Sequence, residues 1–398
     1  MTQRLPPHRR ILAAAIVLLV VVLGGGVILV SGLGPAPAGI ASTESPPPTI
    51  PASSAPPASV SAMPSASWSP SPSPAPEFHE DLSGIATTAE LAHRYPIAVM
   101  IDDSPAARQQ AGLSVASIVW QAPAEGGIPR YMAIFQSGTP PRIGPIRSAR
   151  LYFVRWAAEW NAVYLHAGGP PPLLAFLAGR KTPVLDANFR ATFRLSFRAK
   201  PHNMYTDGER IRRWAERNKQ ATSDRLAYDP TKAGSLQPFS DAAPEADRGP
   251  GGGTIGVTYQ GEKVSYRYDR ASNTWLRSVD GREQRDALAT ANRGNGTIGT
   301  GPRIAPTTVV VMVVPIRRST AIEGPALGRL EADSLGTNTA WVFADGRVTK
   351  GSWRKRTPTD RTQFLDAAGR EIVFPRGQIF IQVVPKASTS TFSVEVTR

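Results

Sequence analysis

The residues best suited to chemistry fall in five short stretches: Asp102-Asp103, Glu125 to Arg130, Arg147 to Arg150, His166 to Gly169, and Pro201 to Asn203. The stretch IGPIRSAR sets Arg147 and Arg150 in a turn between an expected strand and an expected helix, with Ser148 placed to cap that helix. Backbone N–H groups at a helix start attract anions, and a guanidinium fork matches phosphate or carboxylate bidentately. An anion site is one reading of these arginines. The other is that they pair with Asp102, Asp103 or Glu125 to tie loops together, because structural ion-pair networks mimic sites.

YLHAGGPPP ends a strand at His166 and continues through Gly168 and Gly169 into a helix opened by proline, a geometry that lets backbone approach an oxyanion. His166 suits a general base at neutral pH, and equally a buried structural histidine. His202 and Asn203 in KPHNMYTD add a second polar loop. The candidate ligand-binding set is therefore Asp102, Glu125, Arg130, Arg147, Ser148, Arg150, His166, Gly168, Gly169, His202 and Asn203.

No metal and no cofactor is expected. HExxH, CxxC and spaced carboxylate loops are missing from the sequence, and Asp102-Asp103 is the one pair suited to a hard cation. GPGGGT, residues 249–254, lacks the Lys-Ser/Thr of a phosphate loop. Ser104, Ser148 and Ser196 show no nucleophile elbow.

The elements that must position these residues can be read from apolar runs. Pro96 to Ile101, Ala116 to Trp120, Arg130 to Gln136 and Asn161 to His166 read as strands. Ser148 to Trp160 reads as a helix packed on a sheet, and Thr206 to Lys219 as a charged, mostly solvated one. Beyond residue 254, VSYRYDR, NTWLRS, TTVVVMVVP, TAWVFADGRVTKGSW and GQIFIQVVP read as strands, with Ala344-Asp345-Gly346 as a hairpin turn. The expected fold is an α/β or α+β layered domain over 78–234, a Pro/Gly-rich linker or hinge at 235–253, and a mainly β domain over 254–398.

Residues 11–33 form an uncharged apolar run, enough for a transmembrane helix of ~20 residues. Arg4, Arg9 and Arg10 precede it, and no Lys or Arg follows until Arg94, so residues 1–10 are expected in the cytoplasm and the remainder outside. Ala36, Ala38 and Ala41 could serve a cleavage site, but the run exceeds the ~7–15 residues of a signal core, which favours an uncleaved, single-pass anchor in the cell membrane. Residues 34–77 read as a Pro/Ala/Ser-rich spacer.

The chain has 398 residues, no cysteine and a formal net charge of +14. The missing cysteine excludes disulfides, thiolate metal sites and lipid attachment through sulfur. Outside the membrane, the charge points to lipid headgroups or anionic wall polymers rather than nucleic acid.

PIAVMIDDSPAARQQAGLSVASIVWQAPAEGGIPRYMAIFQ, RIGPIRSARLYF, AVYLHAGG and PHNMYTD resemble, in order, the N-terminal domain of the YerB-like family of bacterial envelope proteins. YRYDR, NTWLRS, DGRVTKGSWRK and GQIFIQVVP are similar to that family's companion C-terminal domain. The resemblance implies export but no settled activity. Members are often anchored through an N-terminal cysteine, which is lacking here. Where the family usually has acidic residues, this chain has Ser117 and Gln121.

In layout alone the chain also resembles the LytR-CpsA-Psr phosphotransferases. That would make Asp102, Arg130, Arg147 and Arg150 the pyrophosphate-binding positions and place Ser117 at their metal-binding carboxylate. Two functions stay open: a module binding an anionic envelope polymer or phospholipid, and an enzyme acting on a phosphorylated lipid-linked glycan.

Overall fold

The structure, a computed structural model, describes residues 77–179, 182–218, 236–288, 299–318 and 329–386, and the backbone of Thr391–Glu395. The expected tail, transmembrane run and all but the last residue of the spacer lie outside the described residues. Among the described residues, no helix is long and apolar enough to cross a membrane.

The described chain is mostly β with few helices. The apolar runs of the first half form strands β1 (Ile97–Asp102), β2 (Ile118–Pro123) and β3 (Pro129–Phe135), buried along nearly their whole length. Helix α1 (Leu151–Ala158), β4 (Val163–Leu165), helix α2 (Pro171–Leu177), β5 (Leu185–Asp186) and helix α3 (Gly208–Arg217) follow. Asp207 caps α3 by accepting from the Arg210 N–H at 2.7 Å. This helix is less solvated than its charge suggests: Ile211 and Ala215 are buried, and Arg212 donates inward to the carbonyls of Tyr95 and Gln136.

The second half contributes β6 (Thr254–Tyr259), β7 (Glu262–Asp269), β8 (Thr274–Val279), β9 (Arg282–Glu283), β10 (Thr308–Val314), β11 (Gly336–Ala344), β12 (Arg347–Lys355), β13 (Gln363–Leu365), β14 (Ile379–Pro385) and β15 (Thr391–Glu395). Asp345 and Gly346 connect β11 to β12 with φ of +49° and +69°, as a two-residue hairpin demands.

The two halves share one ten-stranded sheet, ordered β13-β12-β11-β10-β14-β2-β3-β1-β4-β5. At its seam β14 runs parallel to β2, pairing Ile379 with Ile118 and Gln382 with Gln121. Alternation along the strands sends Met100, Trp120 and Met132 to one face and Val99, Val119 and Ala133 to the other. The first face carries α1, whose Trp156 stacks on Trp120 at 4.4 Å with an interplanar angle of 9°. The second face is covered by α3 and by a five-stranded antiparallel sheet, β9-β8-β7-β6-β15, through Ile255, Val257, Tyr266 and Trp275.

The expected linker is not a bare hinge. Phe239–Ser240 pairs in parallel with Phe374–Pro375, Gln237 donates to the Ile372 carbonyl, and Arg248 donates to carbonyls of Ala243 and Arg270.

Candidate functional site

Three of the polar stretches meet at Asp102, the last residue of β1. The residue is 3% exposed, and one of its carboxylate oxygens, Oδ2, accepts from Arg147 Nε at 2.8 Å and from His202 Nδ1 at 2.6 Å. Its other oxygen accepts from the Ser104 N–H at 3.0 Å. The Ser104 hydroxyl lies 3.4 Å from His202 Nδ1. Two cationic or polarisable groups are thus held by a single buried anion. Arg147 is a quarter exposed, and neither its two terminal nitrogens nor His202 Nε2 has a partner among the described residues.

A second cluster lies beside the first. Arg130, opposite Asp102 in the β1–β3 register, donates to the Ser148 carbonyl at 3.0 Å and to Glu125 at 2.6 Å. Arg150 is 4% exposed and pairs with the same Glu125. Burial pushes the Arg130 guanidinium below its usual range. Arg130, Arg150 and Glu125 therefore carry the loop-tying alternative, while Arg147 retains outward-facing donors.

Ser148 does not cap the helix. α1 begins at Leu151 with Arg150 in the cap position and no side-chain cap. Residues 147–149 instead run extended beside 167–168, joined by bonds from Ala167 N–H to the Arg147 carbonyl and from Ala149 N–H to the Gly168 carbonyl, both 2.9 Å. With the Arg147 carbonyl and the Ala149 N–H committed to that loop, the helix starts only at Leu151.

His166 is fully buried, with Nε2 2.7 Å from Asp186 and Nδ1 2.8 Å from the Gly168 carbonyl. Both ring nitrogens are occupied, which is the structural-histidine alternative. The Gly168 N–H donates to Asn188 at 2.8 Å, and Gly169 packs against Ala149. Asn203, next to His202, accepts from Arg194 at 2.6 Å rather than turning to Asp102. Asp186 and Asn188, which hold the His166 turn, carried no sequence signal beyond their place near an apolar run.

Asp102 and Asp103 do not act as a pair. Neighbours in extended chain point to opposite sides, and Asp103, 1% exposed, enters a polar network at the seam of the two halves. There Gln121 Nε2 donates to Asp103 at 2.5 Å and to Glu262 at 2.7 Å, while Arg277 Nη2 donates to Gln121 Oε1 at 2.6 Å. Arg277 is fully buried over the rings of Phe380, Tyr131 and Tyr266. Burial, and then the Glu262 carboxylate, raises Asp103 well above the usual carboxylate range. Gln121 is thus the amide bridging two buried carboxyl groups.

Residues 82–222 match the family described as "Protein of unknown function (DUF3048) N-terminal domain", and residues 255–381 match its C-terminal domain. A protein of Bacillus subtilis (strain 168) named "Putative lipoprotein YerB" is 29% identical over 329 residues, covering 81% of this chain and 91% of that protein. The crystal structure of YerB protein from Bacillus subtilis shares the fold, with a TM-score of 0.63 and 24% identity over 79% of this chain and 99% of that one. The chain belongs to the YerB-like family, in which these two domains of unknown function occur in tandem.

Proposed function

We propose that this chain is a membrane-anchored protein working outside the cytoplasm, and that Arg147 and His202, organised by Asp102, bind an anionic envelope ligand. One observation carries the binding reading: both side chains donate to one buried Asp102 oxygen. That oxygen fixes their orientation while leaving the Arg147 terminal nitrogens and His202 Nε2 for a ligand. A fork held in advance loses little freedom on binding phosphate or carboxylate. The location is supported by the apolar run at 11–33 and its arginine flank, and by the lipoprotein name of the relative.

The test uses the full chain in detergent, titrated with undecaprenyl pyrophosphate or a wall polymer. Arg147→Ala should weaken binding by about tenfold or more, the range for a charge-assisted hydrogen bond. Unchanged affinity removes the anion site. Location is checked by membrane fractionation with protease protection.

The imidazole also favours a second reading. With Nδ1–H donated to Asp102, His202 presents Nε2 as an acceptor, the arrangement of a general base next to an arginine that could hold a phosphoryl oxygen. Turnover of a lipid-linked glycan, assayed with and without divalent metal and lost in His202→Ala with ligand binding retained, would make the protein an enzyme of that class.

A further inference from the structure

A cleft of about 410 Å³ opens where the Arg108–Gln110 loop of the first half faces the β8–β9 hairpin of the second. That volume suits a small ligand, and junctions between chain halves are where such pockets concentrate. Its lining is polar apart from Val279.

The charges in the cleft are nearly all matched. Arg108 donates to Asp280 at 2.6 Å and to buried Glu262 at 2.8 Å. Glu283 takes Arg285 at 2.9 Å and Arg303 at 2.8 Å. The guanidinium of Arg282, exposed between them, makes no ion pair or hydrogen bond among the described residues. The cleft is therefore short of one negative charge, at a planar fork suited to carboxylate. The side-chain amide of Gln109 is likewise without a partner among the described residues, and it offers a donor and an acceptor together, as a peptide group requires.

We propose that this cleft binds a short peptide with one free carboxylate, the carboxylate on Arg282 and a peptide group on Gln109. The pre-paired walls favour this class over a phosphate: a phosphate dianion would face Glu283 and Asp280 with only one unmatched guanidinium to offset it. This site is separate from that of Arg147 and does not rest on the function proposed for it.

The experiment titrates the full chain in detergent with N-acetyl-dialanine bearing a free carboxylate and with its C-terminal amide, by calorimetry. The acid should bind at least about tenfold tighter than the amide. Arg282→Gln should bring the acid down to the amide's level, Gln109→Ala should weaken both alike, and Arg147→Ala should change neither. The proposal is overturned if neither peptide binds at millimolar concentration, if acid and amide bind equally, if Arg282→Gln leaves acid binding intact, or if Arg147→Ala abolishes it.

Discussion

Two adjacent aspartates show how far a residue's chemistry depends on where the chain turns it. Asp102 orders Arg147 and His202 at a partly open site, whereas Asp103 sits in the seam facing Glu262, Gln121, Gln110, Arg277 and Tyr131. Because burial and Glu262 raise the Asp103 carboxyl, the folded chain keeps its proton at pH values where the unfolded chain has lost it. Its contribution to stability is fully present below the unfolded value of about 3.9 and is lost as pH rises from there through the elevated folded value. Asp103→Asn should flatten that part of the urea-unfolding midpoint's fall with pH, and a wild-type slope in the variant would contradict the assignment. Asp286, also raised by burial, leaves a smaller slope of the same sign. The sequence offered Asp102-Asp103 as a unit, because partners such as Glu262 and Arg277 come from the other half of the chain and have no local signature.

At the scale of elements, the apolar runs were legible and the helix boundaries less so. The runs at 97–102, 129–135, 308–314 and 379–385 became strands because both faces of the sheet are covered, so no alternation is needed. The helix start drifted from Ser148 to Leu151, because long-range backbone pairing with 167–168 overrode a local capping signal. What holds that helix is its aromatic face: Trp156 stacks on Trp120 and meets Phe153 and Tyr152 edge-on at 5.4 and 5.5 Å. Trp156→Ala should cost about 3–5 kcal/mol, measured by equilibrium denaturation, as expected for removing a fully buried aromatic. The hairpin turn was also legible, and Gly346 has a reason beyond its positive φ: a Cβ there would lie 2.3 Å from the Tyr268 ring. Gly346→Ala should therefore lower the denaturation midpoint, while Gly369→Ala, also at positive φ but with open space around it, should lower it less.

For the whole molecule, the tandem order of two family domains is legible in sequence, but their union in one sheet is not. Parallel pairing of β14 with β2 joins strands from opposite halves, and nothing in either run names its partner. Further ties cross the same boundary. Lys355 meets Glu159 at 3.1 Å with both side chains buried, Thr362 donates to Glu159, and Asp286 receives the Ser114 N–H at 2.9 Å. Separating the halves would strip the buried Glu159 carboxylate of Lys355 and Thr362, and would take Gln121 from the buried Arg277 guanidinium. It would also expose the apolar edges of β2 and β14 as open templates for aggregation. Fragments 77–234 and 254–398 should each fail to give a cooperative unfolding transition when expressed alone, whereas residues 77–398 should unfold in one step by both near- and far-UV circular dichroism. Two resolved transitions in the longer chain, or an independently folded fragment, would mean that the seam is a docking surface rather than part of a single core.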